Sequence, residues 1–484
     1  MTTPDVASPR RLGSVARTGV LWQGAAFVAA RLLLLVSTVV LARFLGPSEY
    51  GLISFGLVIV TALNVVSDIG VSQALVYLPD RRRLVDSALV IGVVGSLLLG
   101  ALWVAAVPVL LDALGHPGST ALQLQLLALV LVITSIGQVP DAILRKRLQF
   151  SRRLPAELGR GLGRGLVAVV LALMGFGAWS LVWAEITGAV AYAVICWMMV
   201  SHRPGPFREW WNRQEMRTLL RFGIPTALNG GLATAVQNID YLVIITTLGT
   251  ASLGYYFVGF RIPELVIISV FLVFSQVTYP LYATVNDDPE RLRRGYLLST
   301  RVQATYGFAA GAGIAVAAPV LVPVLFGERY AATVPVMSAI AIYAVFRSLT
   351  AGSADVFKAV GRPELGMWLG VARLTLLVPV LFFSTKWGIT GVAVGQLVMA
   401  VVFALITQQV VCRTLVLPMT RLLKTLVPCV LAGLGSALGA FLGMTLAGGT
   451  SWGTVVVTVL GSVLVGGLVI LVTDRGTIRK ALLA

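Results

Sequence analysis

Apolar runs of about twenty residues follow one another along almost the whole chain and are separated by short polar segments. A bilayer core about 30 Å thick is crossed by roughly 20 residues of α-helix. Of the 484 residues, 57% are hydrophobic and 12% are charged, against about 45–50% and 25% in ordinary soluble domains. The pattern predicts an all-α integral membrane protein. It excludes a disordered chain and a soluble protein that binds nucleic acid.

About fourteen transmembrane helices are predicted when this length is applied along the sequence. The eighth contains Pro263 and Pro280, which predict a bend. The polar residues before the first helix carry no cleavage site, so we interpret it as a retained span and not as a signal peptide. The predicted spans are residues 18–44, 50–78, 85–111, 121–145, 160–176, 178–200, 219–249, 252–285, 297–326, 331–358, 364–385, 388–411, 425–446 and 452–473.

Positive charge alternates between the connections that join these spans. With the N-terminus in the cytoplasm, the outer connections hold only Arg43, Arg329 and Lys386, and nearly all other connecting bases lie inside. Lys and Arg are enriched in cytoplasmic loops of membrane proteins. The alternation therefore predicts that both termini are cytoplasmic, and most of the formal charge of +17 reports topology and not a ligand.

A weak internal repeat divides the chain. The pattern Leu45-Gly46-x4-Gly51 returns as Leu248-Gly249-x4-Gly254. Both halves begin on the same side of the membrane, which predicts a parallel repeat of two six-helix lobes followed by two further helices. Transporters built this way bind substrate between the halves. The predicted parts are an N-terminal lobe at 1–200, a linker at 201–218, a C-terminal lobe at 219–412 and a C-terminal part at 413–484.

The linker contains Trp210 and Trp211 beside arginines. This composition suits a helix that lies in the lipid headgroup layer, and it equally suits a solvated connection between the lobes.

Four arginines are predicted deep in the membrane, where an unpaired charge is costly and marks a functional site. The planar guanidinium group stays charged and binds phosphate oxygens through two parallel hydrogen bonds. The set therefore predicts a site for a diphosphate held without a metal. Arg261 and Glu264 are three residues apart and can instead neutralise each other, whereas Arg31 and Arg373 have no acid at such a spacing. The predicted substrate-binding residues are Arg31, Arg261, Arg347 and Arg373.

Acidic side chains at membrane depth suggest coupling to an ion. A buried carboxylate can bind and release a proton during a transport cycle, bind Na⁺ together with neighbouring amides, or pair with an arginine. Asp141 and Glu185 are two further deep acids, and for any single one of the six we favour pairing with an arginine. The predicted coupling residues for H⁺ or Na⁺ are Asp68, Asp240, Glu264 and Asp355.

Cofactor and catalytic motifs are absent from the sequence. There is no nucleotide-binding loop, because the glycine-rich stretch Gly159–Gly165 lacks the preceding strand and the Lys-Ser/Thr pair. Two histidines and three widely spaced cysteines argue against a metal site or disulfides. We therefore expect no cofactor, no bound metal and no catalytic residues.

Three stretches resemble the Wzx-type polysaccharide flippases of the multidrug/oligosaccharidyl-lipid/polysaccharide exporter superfamily. They are Leu41–Leu52 (LARFLGPSEYGL), Ser67–Val71 (SDIGV) and Pro140–Phe150 (PDAILRKRLQF). The resemblance implies export of an undecaprenyl-diphosphate-linked oligosaccharide across the bacterial cytoplasmic membrane by alternating access with ion coupling. It also implies membrane lipids as partners, and glycosyltransferases and a polysaccharide polymerase as candidate ones. Of the arginines, the resemblance supports only Arg31, which matches a first-span arginine in related flippases.

Two other classes of function stay open at this stage. A multidrug or small-molecule exporter can have the same fold, although cationic drugs favour an acidic cavity. A membrane-embedded glycosyltransferase or polymerase usually needs a long outer loop, and the outer connections of this chain are short.

The predicted topology can be tested with reporter fusions. We expect alkaline phosphatase to be active when fused after Lys386 and inactive when fused after Lys424, because these residues flank the twelfth span on opposite sides. A fluorescent protein at the C-terminus should fluoresce, as it folds in the cytoplasm. The reversed pair of phosphatase activities would contradict the assignment.

Overall fold

A computed structural model describes most of the chain: residues 31, 33–78, 81–115, 120–147, 149–201, 205, 210–271, 274, 278, 282, 284–285 and 288–473. The start of the first predicted span, Pro280 and the predicted cytoplasmic tail after residue 473 lie outside these residues. Regular structure within the described residues is helical throughout, which agrees with the all-α prediction.

The helices are numbered here in chain order. Among the described residues, ten stretches are long and apolar enough to cross a membrane. The all-α membrane fold is thus confirmed, while the count of fourteen spans and the repeat stay predictions. The helices are α1 Leu33–Phe44, α2 Pro47–Ser67, α3 Val71–Tyr77, α4 Arg82–Ala113, α5 Ala121–Leu126, α6 Ala128–Lys146, α7 Phe150–Leu173, α8 Trp179–Met199, α9 Arg213–Pro263, α10 Pro289–Phe326, α11 Thr333–Ala359, α12 Pro363–Ser384, α13 Gly388–Thr414, α14 Met419–Ala447 and α15 Trp452–Thr473.

The chain forms two compact units. The first unit contains the residues up to Leu45 together with Ile53–Asn238, and the second contains Gly46–Leu52 and the residues from Ile239 onward. The boundary between the units lies inside α9. This helix begins at Arg213, within the predicted linker 201–218, and continues into the predicted seventh span. The lobe boundaries drawn from the sequence stay predictions.

In the first unit, the second predicted span is not one continuous helix. Helix α2 ends at Ser67 and α3 begins at Val71, because Ile69 and Gly70 have left-handed backbone angles, with φ of 46° and 63°. A side chain at Gly70 would overlap the carbonyl oxygen of Gly223, so the close approach of α9 requires glycine here. The break places the polar residue Asp68 between two helix ends.

Two deep acids of the first unit are held in ion pairs between helices. Asp141 is buried, and its carboxylate lies 2.8 Å from Arg145 and 2.6 Å from Arg153, which links α6 to α7. Glu185 on α8 lies 2.5 Å from Arg164 on α7. For these two acids the favoured interpretation, pairing with arginine, is what the structure shows.

In the second unit, helix α9 is interrupted at Gly249, which has φ 85° and ψ 177°. This position matches the predicted connection between the seventh and eighth spans. Directly after Pro263, residues Glu264–Ile268 form a π-helical turn. Proline removes a helix hydrogen bond, and such turns occur often at functional sites. The structure departs from α-helical geometry where the sequence predicted a bend.

The two stretches matched by the internal repeat lie against each other in the second unit. Ser48 and Thr250 share a hydrogen bond of 2.7 Å between their hydroxyls. A Cβ atom at Gly51 would lie 2.7 Å from the backbone nitrogen of Gly254 and would overlap the carbonyl oxygen of Thr250. Small residues let membrane helices approach this closely. Of the four glycines that suggested a repeat, Gly51 and Gly254 are therefore packing residues at one helix crossing.

The last two helices are held by the same kind of contact. A side chain at Gly439 on α14 would overlap the carbonyl oxygen of Gly461 on α15, and the reverse substitution would do the same. Gly313 on α10 packs against Ser462 of α15. Small-residue packing of this kind replaces the hydrophobic effect, which does not drive association between helices in lipid.

Replacing Gly51 or Gly254 by alanine should destabilise the purified protein by about 1–3 kcal/mol, because the added methyl group meets backbone atoms that cannot move alone. The measurement is thermal unfolding in detergent. Gly370 on α12 is the matched control, since a Cβ there meets open space and alanine should stabilise by about 0.5–1 kcal/mol. Equal melting temperatures for Gly51→Ala and Gly370→Ala would contradict this packing.

Candidate functional site

Two of the predicted arginines of the second unit interact with one buried tyrosine. Arg347 and Tyr343 are four residues apart on α11, so they lie on the same helix face, and the Arg347 Nη1 atom donates a hydrogen bond of 2.8 Å to the tyrosine hydroxyl. Arg373 on α12 interacts electrostatically with the same tyrosine. Both arginines therefore act electrostatically on the same buried tyrosine.

Arg373 has one hydrogen-bond donor that is not used within the described part of the chain. Its Nε atom is buried and has no hydrogen-bonding partner within the described part of the chain. An unsatisfied buried donor costs about 1–3 kcal/mol, and more when the group is charged. A phosphate oxygen is an acceptor that a guanidinium group binds well, so the arrangement is suited to an anion.

Arg261 is already partnered within its own helix. Its Nη1 atom lies 3.1 Å from the Glu264 carboxylate, and its guanidinium group lies 5.7 Å from the centre of the Phe257 ring. Arg261 is 9% exposed, whereas the Glu264 side chain is 40% exposed. The neutralising pair that the spacing allowed is therefore present.

A layer of aromatic rings connects Arg261 with Arg347. Tyr241 lies 5.7 Å from Phe257 and 6.3 Å from Phe260, and Phe260 lies 5.9 Å from Tyr343, measured between ring centres. Such edge and tilted contacts are the preferred geometries of aromatic pairs. The layer fixes the positions of the charged groups around it.

Asp240 lies beside this layer and is 1% exposed. Its Oδ2 atom accepts a hydrogen bond of 2.8 Å from the Tyr256 hydroxyl, and its Oδ1 atom accepts one of 3.1 Å from the backbone N–H of Tyr241. The carboxylate also interacts electrostatically with Arg347. Asp240 and Arg347 are thus two groups of opposite charge that interact electrostatically beside this layer.

The remaining predicted residues lie elsewhere. Asp355 is eight residues beyond Arg347 on α11, or about 12 Å at helical rise, and it contacts Thr278 at 3.1 Å and Lys358 at 3.9 Å. Arg31 and Asp68 belong to the first unit, where Arg31 is partly buried. The structure therefore brings together Arg261, Arg347, Arg373, Asp240 and Glu264, and it places Asp355 outside this group.

The tyrosines of the site were missed from the sequence. Tyr343 had a readable signal, because it precedes Arg347 by four residues. Tyr256 had none, since its contact with Asp240 spans sixteen residues across the interruption at Gly249. A neutral tyrosine can be buried in a membrane at little free-energy cost. A search of the sequence for charged residues at membrane depth therefore does not find it.

The sequence is similar to known proteins over most of its length. Residues 40–335 match the family described as "Polysaccharide biosynthesis protein". The chain is 24% identical over 396 residues to "Lipopolysaccharide biosynthesis protein WzxC" of Escherichia coli (strain K12), covering 80% of this chain and 78% of that protein. It is 27% identical over 346 residues to "Succinoglycan biosynthesis transport protein ExoT" of Rhizobium meliloti (strain 1021), covering 70% and 68%.

Solved structures share the fold. "Lipid II flippase MurJ, inward closed conformation" superposes with a TM-score of 0.77 at 13% identity, covering 95% of this chain and 100% of that one. An inward-facing multidrug resistance MATE family transporter of the MOP superfamily superposes with a TM-score of 0.67 at 19% identity, covering 82% and 96%. The family match extends over more than half of the chain and confirms the resemblance to Wzx-type flippases. The chain belongs to the polysaccharide biosynthesis protein family.

Proposed function

We propose that the chain is a flippase that moves an undecaprenyl-diphosphate-linked oligosaccharide from the inner to the outer leaflet of the bacterial cytoplasmic membrane. The movement occurs by alternating access and is coupled to H⁺ or Na⁺. The family match supports a role in polysaccharide biosynthesis, one relative carries the name of a transport protein, and a lipid II flippase shares the fold. Glycosyltransferases would supply the substrate and a polysaccharide polymerase would consume it.

The observation that carries the proposal is that Arg347 bonds to Tyr343 and Arg373 interacts electrostatically with the same tyrosine. Guanidinium groups can donate parallel N–H hydrogen bonds to the oxygens of a diphosphate. The buried Nε atom of Arg373 has no hydrogen-bonding partner within the described residues and can donate to such an oxygen. The diphosphate is the part that lipid carriers of different glycans share. Arg261 supports the site through its aromatic contacts. Arg31, in the first unit, is proposed as a substrate-binding residue because it resembles a first-span arginine of related flippases.

Asp240 is the acid best placed for ion coupling. Its charge acts on Arg347 and opposes the binding of an anion there. A proton or Na⁺ at Asp240 removes this opposition, so ion occupancy and diphosphate affinity are linked and each changes the other by the same factor. In the proposal, Asp68 is a second coupling acid, whereas Glu264 and Asp355 act through their pairs with Arg261 and Lys358.

A multidrug exporter is the second candidate, because a MATE family transporter shares the fold. The charges around Tyr343 weigh against it, since two arginines repel cationic drugs. Drug resistance on overexpression, together with normal glycan export in a deletion strain, would favour this alternative.

Arg31→Ala and Arg373→Ala should each abolish glycan export while leaving the protein in the membrane, because each removes a phosphate donor. The lipid-linked intermediate should accumulate in the cytoplasmic leaflet. Arg373→Lys should restore export in part, since lysine keeps the charge but lacks the fork. The measurement is surface glycan together with the amount of lipid-linked intermediate.

The matched control is Arg421→Ala on α14, an exposed position that should export normally. Full export by both Arg31→Ala and Arg373→Ala would refute the cationic site.

Asp240→Asn should separate substrate binding from the coupling ion. Asparagine keeps the size of the side chain and an acceptor for Tyr256 but removes the charge that acts on Arg347. We expect pyrophosphate binding several-fold tighter than in the unmodified protein and insensitive to pH and Na⁺, with gradient-driven transport lost in proteoliposomes. Asp112→Asn, at an exposed site, should change neither. Retention of ion dependence in Asp240→Asn would place coupling elsewhere.

A further inference from the structure

The first unit contains a partly open cavity of about 330 Å³ that is lined by both polar and apolar side chains. Small-molecule sites in proteins begin at roughly 300 Å³, so the space is far larger than a bare ion requires. The cavity borders the interruption between α2 and α3, and discontinuous helices often form binding sites in transporters. The polar side chains that line it include Asn64, Gln73 and Gln138 and the threonines Thr61, Thr134 and Thr226.

The three threonines of the cavity differ in their hydrogen bonds. Thr61 donates to the carbonyl oxygen of Leu57 at 2.7 Å, and Thr226 donates to that of Phe222 at 2.9 Å. This bond to the residue four positions earlier is usual for threonine in a helix. Thr134 is 3% exposed, yet its Oγ1 atom has no hydrogen-bonding partner in the described part of the chain. A buried hydroxyl left unbonded is costly, and a ligand in the cavity can supply the missing partner.

An amide pair spans the same cavity. The Gln138 side chain donates a hydrogen bond of 2.8 Å to the Oδ1 atom of Asn64, which joins α6 to α2. A carboxamide has both donors and acceptors, and the single bond between the two amides uses only part of this capacity. Thr134 lies one helical turn before Gln138 and presents the hydroxyl on the same face. Hydroxyl and amides together match the alternating donors and acceptors of a sugar ring.

The charged side chains that line the cavity are of both signs: Asp68, Arg160 and Glu185. Glu185 is paired with Arg164 at 2.5 Å, and the Arg160 guanidinium group lies 5.4 Å from the centre of the Tyr192 ring. The Asp68 carboxylate accepts hydrogen bonds from the hydroxyl and backbone N–H of Ser72 at 2.6 and 3.3 Å. The cavity therefore differs in character from the arginine site of the second unit and suits a neutral ligand.

We propose that this cavity binds a neutral sugar residue of the transported glycan, with hydrogen bonds from Thr134, Asn64 and Gln138. The proposal rests on the flippase function and extends it, because it assigns recognition of the sugar to the first unit and of the diphosphate to the arginines of the second. A site built around hydroxyl-bonding groups rejects ligands that lack the hydroxyl. The cavity therefore contributes to the choice of glycan.

The test is binding to the purified full-length protein with two probes measured by calorimetry. One probe is the repeat-unit oligosaccharide released from the lipid carrier by mild acid, and the other is inorganic pyrophosphate. Thr134→Val should weaken oligosaccharide binding about five- to tenfold, the effect of one hydrogen bond, and leave pyrophosphate binding unchanged. The double variant Asn64→Leu/Gln138→Leu, which removes both partners of the amide pair, should abolish oligosaccharide binding.

Thr187→Val is the matched control, since the Thr187 hydroxyl is bonded within its own helix at 2.7 Å to the carbonyl oxygen of Trp183 and does not line the cavity; it should leave oligosaccharide binding unchanged. Valine has the shape of threonine and leaves no unbonded hydroxyl, so the melting temperature of Thr134→Val should not fall. Unchanged oligosaccharide binding in Thr134→Val overturns the proposal, and a change in Na⁺ affinity alone would make the cavity a cation site. Failure of the flippase function itself would appear separately, as normal glycan export in cells that lack the protein.

Discussion

The cost of placing charge in a low-dielectric membrane interior is the constraint that organises this protein. The structure meets it mostly by pairing: Asp141 with two arginines, Glu185 with Arg164, and Glu264 with Arg261. In each pair the two charges neutralise each other, and the contact also joins two helices or two residues one helical turn apart. Arg145 and Arg373 each have a buried Nε atom without a hydrogen-bonding partner among the described residues. Arg145 is held by Asp141, whereas at Arg373 a ligand can supply the missing acceptor.

Glycine has two distinct roles in this fold. At Gly51 and Gly254 it lets helix backbones approach closely, which is how membrane helices gain packing energy. At Gly70 and Gly249 it allows backbone angles that interrupt a helix. The interruption at Gly70 lies beside an acid, Asp68, whereas Asp240 lies nine residues before the interruption at Gly249. Polar groups released at helix breaks are what a transporter uses to bind ligands at membrane depth.

The fold class and most helix bounds could be predicted from the sequence, because the length and hydropathy of each run reflect the thickness of the bilayer. Helix α15 runs over the predicted residues Trp452–Thr473. The second span was predicted less well, since hydropathy does not register the left-handed turn at Ile69 and Gly70. The weak repeat drew attention to Gly51 and Gly254, but only the structure shows that these glycines contact each other.

What the sequence determined by itself was the membrane class, the predicted orientation and the presence of costly charges, since each follows from the free energy of transferring residues from water to lipid. Only the tertiary structure decided which charges are matched. Helix spacing revealed the pair of Arg261 and Glu264, but Arg164 with Glu185 and Arg373 beside Tyr343 join different helices. The cavity around Thr134 could not be predicted from the sequence. Whether a threonine hydroxyl is bonded within its own helix or left unbonded is visible only in the folded chain. Pairing across helices depends on packing, and packing is a property of the folded chain.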